Sequence, residues 1–263
     1  MEMRGLMGGF YRISEWIMRL SAINLLWAIC SIPTLFLLLA PLMSPGTVDP
    51  NVDPNQMLAE FGAMMFWPAL SAPFFLIPAS AAMFAVARKW VMGDVDVPLF
   101  KTFFRNYKEN YKQSMLGGLI FLALGFMIVQ CIIFYSGMDG IVRLLSFLFI
   151  SFCFVYAAAL INFLCMTVHF EMKLIQLVKN SFIMTLGQPF TSIGSLVTSG
   201  VIIWISFTKF TFLIPFFMGS LCAIASFWYF YRSFQRIQDK AEKAREKEAL
   251  KEMGLDESVQ TKE

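Results

Sequence analysis

Charge is scarce in this sequence. Only 15% of its 263 residues are Asp, Glu, Lys or Arg, against about 25% in average soluble domains. The charges fall in a few clusters, separated by apolar stretches long enough to cross a hydrocarbon core of about 30 Å. That pattern excludes a soluble globular domain and points to an all-α, polytopic membrane helix bundle.

Other shortages exclude chemistry. A single histidine, His169, with Glu171 two residues on, is too little for a Ser-His-Asp relay or a metal cluster. HExxH, GxxxxGK and G-x-S-x-G are absent. The five cysteines have no CxxC spacing and all fall in apolar runs, where they read as small buried side chains. Neither an enzyme nor a cofactor is expected. The apolar runs also lack Asp, Glu, Lys and Arg away from their ends, which argues against a transporter driven by ion coupling.

What is abundant is apolar: 58% of the residues are hydrophobic, with 29 Phe and 18 Met. The runs predict six spans, at about 20–42, 68–87, 115–135, 141–168, 190–207 and 210–231. The first is too long for the h-region of a cleavable signal. With the N-terminus in the cytoplasm, all of the 21 Lys and Arg except Arg143 and Lys209 fall inside, as the positive-inside rule requires. Both termini are then cytoplasmic, and residues 43–66 form an outside loop.

Three cytoplasmic stretches have the pattern of interfacial amphipathic helices. The first is residues 1–19. The second is "VPLFKTFFRNYKENYKQ", whose Phe100, Phe103, Phe104, Tyr107 and Tyr111 make one face while Lys101, Arg105, Lys108 and Lys112 lie off it. The third is "HFEMKLIQLVKNSFIMTLGQP", carrying Lys173 and Lys179. Basic residues interleaved with aromatics also suit nucleic acid, but in a chain with six spans they meet the bilayer's anionic lipid or a protein partner. Residues 232–263 form a tail with basic and acidic residues in equal number, a solvated helix rather than a polybasic lipid hook.

Inside the spans the notable polar side chains are Asn24, Gln130 and Asn162. Interhelical hydrogen bonding, worth about 0.6 kcal/mol on average, is the expectation for each. The stretch "FWPALSAPFFLIPAS" carries Pro68, Pro73 and Pro78 five apart. With a span beginning near Trp67, Pro68 sits in the first turn, while Pro73 and Pro78 lie deeper and free the carbonyls of Ala69 and Phe74. Such a break is either a packing kink or the unwound lining of a solute site.

Several stretches resemble the YesL-like family of bacterial membrane proteins: "NLLWAICSIPTLFLL" (24–38), "PASAAMFAVARKW" (78–90), "DVPLFKTFFRNYKENYKQSMLGG" (96–118) and, more weakly, "VKNSFIMTLGQP". No residue of that family has an established chemical role. The resemblance implies a companion of carbohydrate-uptake systems, an accessory or regulatory component beside the permease or ATPase of a sugar ABC importer. The chain lacks the EAA-type loop of an import permease. Two readings follow: an accessory protein, alone or as a homo-oligomer, that docks through its cytoplasmic helices, or an autonomous facilitator for a small neutral solute.

Overall fold

The computed structural model describes residues 6–43 and 54–252. The start of the N-terminal segment, the first part of the expected outside loop and the end of the tail lie outside the described residues. Nine α-helices are present among those described: α1 (Leu6–Cys30), α2 (Ile32–Met43), α3 (Pro54–Ser71), α4 (Leu76–Val91), α5 (Leu99–Ser136), α6 (Leu144–His169), α7 (Leu174–Gly187), α8 (Pro189–Thr208) and α9 (Gly219–Glu252). Five of the helical stretches are long and apolar enough to cross a membrane. A sixth span results if 62–71 and α4, bent by 56° to each other, count as one. The protein is a multi-pass helical bundle.

Helix boundaries differ from the sequence expectation in four places, and proline is involved in three. The first expected span is divided at Ser31, because Pro33 has no N–H to give the carbonyl of Ile29. Hydrogen bonds from Ser31 N to Trp27 O (3.0 Å) and from Leu35 N to Ser31 O (2.9 Å) carry the chain across the break. Helix α3 begins at Pro54, so much of the expected outside loop is helical, and Pro68 lies inside that helix rather than in a first turn. The break falls instead at 72–75, around Pro73. Pro78 is the third residue of α4, where an N–H would have no intrahelical acceptor anyway. The carbonyl of Phe74 receives the Tyr111 hydroxyl at 3.2 Å. Pro73 packs against α5, its Cα 3.1 Å from where a Cβ on Gly118 would sit. The bend is thus packed closely against α5.

The last span opens with a π-helical turn, Ile214–Met218, that includes Pro215. Asn24 holds it from α1. Its amide donates to the carbonyls of Ile214 (3.1 Å) and Pro215 (2.6 Å), and its oxygen accepts from Ser220 N (3.1 Å). A widened turn leaves backbone groups unpaired, and a fully buried amide answers three of them.

The fourth difference concerns continuity. Over their described residues, from Leu6 and from Leu99, the first two amphipathic stretches are not separate helices. The first runs straight into α1, and the second is the opening of α5, one helix of 38 residues. At 1.5 Å per residue α5 is about 57 Å long, so roughly half of it extends past a 30 Å core. No proline or glycine interrupts 99–116, which is why nothing bends it at the interface. Of the three amphipathic stretches, only the third, which includes α7, forms a short, separate helix.

The core gathers on α4. Its small residues Ala79, Ala81, Ala82, Ala85 and Ala87 are all buried, surrounded by α1, α5, α6 and α9. Gly117 on α5 lies directly against the ring of Phe163 on α6, a close approach that any Cβ would obstruct.

Candidate docking site at the basic end of the bundle

The ends of the helices that carry most of the cations lie together. Arg88, near the end of α4, donates through Nε to Nδ1 of His169, the last residue of α6, at 3.2 Å. In this bond Nδ1 of His169 is the acceptor. Rings of Phe170, Phe227, Phe230, Tyr231 and Phe234 lie 4.7–6.1 Å from it, centroid to centroid. The lone histidine therefore pins α4, α6 and α9 to one another.

A second latch joins α1 to the link before α5. The guanidinium of Arg19, buried in the bundle, bonds Glu15, the carbonyl of Val95 and, at 3.0 Å, Asp96. This fixes where α5 starts. Below that start, Phe103 is fully buried and stacks on Tyr107 with centroids 6.4 Å apart.

The opposite side of the same turns is bare. Lys101, Arg105, Lys108 and Lys112 are all exposed, and their spacing of four, three and four puts them on one stripe of the helix. Arg105 has a loose partner in Glu109 at 3.9 Å. The aromatic face expected over 100–111 divides: Phe103 turns inward, whereas Phe100 (64% exposed) and Phe104 (49%) stand out beside the cations. The reason is that none of the described residues packs over the first turn of α5 on that side.

Two clefts flank the extended link between α6 and α7. A polar one of about 560 Å³ is lined by Glu109, Asn110, Gln113, Thr167, Glu171 and Lys173, with Phe170 and Met172. An apolar one of about 440 Å³ lies between α6, α7 and α9, with Met166, Met184, Phe230, Phe234 and Ile237 on its walls. Phe170 and Met172 line both. The carbonyl of Met172 accepts from Gln113 Nε2 at 2.6 Å, tying the link to α5. Lys173 thus joins the α5 site, whereas Lys179 is exposed on α7 and lines neither cleft.

The intramembrane candidates separate. Asn162 is buried and donates to Thr185 Oγ1 at 2.9 Å and, weakly, to Ser192 Oγ at 3.5 Å, joining α6 to α7 and α8. Asn24 serves the π turn, Pro73 meets Gly118, and Pro78 is a first-turn residue. Gln130 is exposed and has no hydrogen-bond partner among the described residues; its expected interhelical bond is not made, because its stretch of α5 presents no buried side chain. The two latches and the apolar cleft left only faint signals in the sequence. One is the four- and three-residue spacing of Phe230, Phe234 and Ile237, which continues past Arg232.

Comparison with known proteins places this geometry. Residues 20–130 match the family model described as "Protein of unknown function, DUF624". YesL of Bacillus subtilis (strain 168) is 26% identical over 237 residues, covering 89% of this chain and 94% of its own. YteU of the same organism is 28% identical over 221 residues (84% and 83%), and YesV 28% over 165 residues (61% and 77%). All three relatives are described as uncharacterized. No solved structure matches the chain. The DUF624 match takes in Asn24, the whole of α4 and the basic stripe of α5, and with the three relatives it supports the resemblance to the YesL-like family.

Proposed function

We propose that this protein is a non-enzymatic accessory component of carbohydrate uptake. It docks onto the permease or ATPase of a sugar ABC importer through the exposed basic stripe of α5, with that stripe and both termini in the cytoplasm of a bacterial plasma membrane. The observation that carries the reading is the stripe itself. Four exposed cations and two exposed phenylalanines occupy helical turns that α5 holds beyond the apolar span, anchored from behind by Phe103 and by Arg19. A charged, aromatic-flanked helix face held out of the bilayer can meet an acidic protein surface, and such complementarity governs partner choice and association rate. The resemblance to companions of sugar importers supplies the class of partner; nucleic acid has no part in it.

The facilitator reading has less support. The amides of Asn24 and Asn162 are occupied by protein partners rather than left facing a path, and the Phe74 carbonyl is already bonded.

The test is gentle purification at native expression level with mass spectrometry of co-purifying proteins. A stoichiometric permease or ATPase is expected, and it is lost from Arg105→Glu/Lys108→Glu while the variant stays inserted and folded. A protein that purifies alone, or a complex indifferent to the double reversal, removes the docking role of α5.

A further inference from the structure

We propose that the two clefts flanking the 170–173 link form one site for a single phospholipid with a zwitterionic, amine-bearing headgroup, taken from the leaflet at the basic end. The apolar cleft would hold an acyl chain and the polar cleft the headgroup.

Three observations carry this. The apolar cleft lies where α6 ends and α9 continues past Arg232, at the end of two helices long and apolar enough to span. Its volume of about 440 Å³ falls in the range of ligand-sized pockets, about 300–1,000 Å³, and its methionines are side chains that adapt to a flexible chain. The cleft also has a lateral entrance. Ile183 on its lip is exposed, and Leu186, Phe190 and Ile193 continue as an exposed apolar track onto α8, one of the helices apolar enough to span. An acyl chain can therefore enter from the bilayer without crossing water. Finally, the polar cleft on the other side of Phe170 and Met172 offers charges of both signs. Glu109 and Glu171 suit an ammonium, and Lys173 suits a phosphate. A zwitterion matches a lining that carries both signs, with Glu171 free to meet its ammonium while Glu109 keeps its loose pairing to Arg105.

The experiment is native mass spectrometry of the full chain with 1-palmitoyl-2-oleoyl phosphatidylethanolamine or the matching phosphatidylglycerol added in defined ratio. Wild type is expected to retain one phosphatidylethanolamine under activation that strips phosphatidylglycerol. A Cβ on Gly187 meets nothing within 4 Å and Gly187 lines the apolar cleft, so Gly187→Phe blocks it without strain. Retention in that variant falls by about tenfold, which corresponds to about 1.4 kcal/mol. Glu109→Lys/Glu171→Lys leaves the apolar cleft open and turns the preference toward phosphatidylglycerol. Equal retention of the two lipids by wild type, or undiminished retention in Gly187→Phe, overturns the proposal. So does finding the cleft covered by a bound peptide or a second copy of the chain. Gel filtration of each variant confirms folding, and the two variants fail by different routes.

Discussion

Helix α4 and the far half of the α5–α6 hairpin are both largely apolar and have opposite surroundings. Eleven of the sixteen residues of α4 are buried, most of them small. Between residues 122 and 157 only Ser146 is buried, and Phe126, Phe134, Phe147 and Phe154 stand exposed. One apolar surface is solvated by protein and the other by lipid tails. The difference lies in side-chain size: alanine and glycine allow backbones to approach, whereas phenylalanine and leucine keep them apart and suit hydrocarbon.

Substitutions that add bulk should break this contrast first. Gly117→Val sets a branched side chain against Phe163, and an overpacked core loses about 1–3 kcal/mol or more. A clear fall in melting temperature in detergent is expected, and an unchanged one would mean that the α5–α6 contact is not close. Next in size is Asn24→Leu. It strands two carbonyls and one N–H at the π turn, and an unsatisfied buried group costs about 1–3 kcal/mol. Unfolding titration in mixed micelles reads this directly, with Gln130→Leu as the matched control near zero.

On the bare half the expectation reverses. Phe134→Ala removes a side chain 59% exposed within the bundle, so stability in detergent moves by no more than about 0.5 kcal/mol. A loss as large as that at Gly117 would mean that this face is covered by protein, as in a homo-oligomer. The smallest effect on stability belongs to Arg105→Glu/Lys108→Glu, again within about 0.5 kcal/mol, because both side chains are exposed. Its consequence is read in the co-purifying partner instead.

Much of the architecture was legible in the sequence. Apolar runs marked the spans, and the spacing of Lys101, Arg105, Lys108 and Lys112 marked a face that is indeed exposed. The proline ladder marked a break, though its placement came out differently. A proline costs a helix most in its interior and almost nothing in its first turn, so each role depended on where the helix starts, and α3 starts at Pro54. The candidate site was half legible. The stripe could be read locally, whereas the clefts join α5, α6, α7 and α9 through residues with no common pattern.

The sequence by itself determined that this chain is helical, that it crosses a membrane several times and that its cations gather at one end. Those properties follow from short-range chemistry: length, hydrophobicity and charge along each segment. Only the tertiary structure decided that α4 is the buried helix, that α5 passes unbroken from span to basic end, and that Asn24 answers a turn some 190 residues away. The physical reason is that lipid and protein interior are equally apolar. Which one a residue meets is set by how closely another helix can approach it, and that depends on partners distant in the chain.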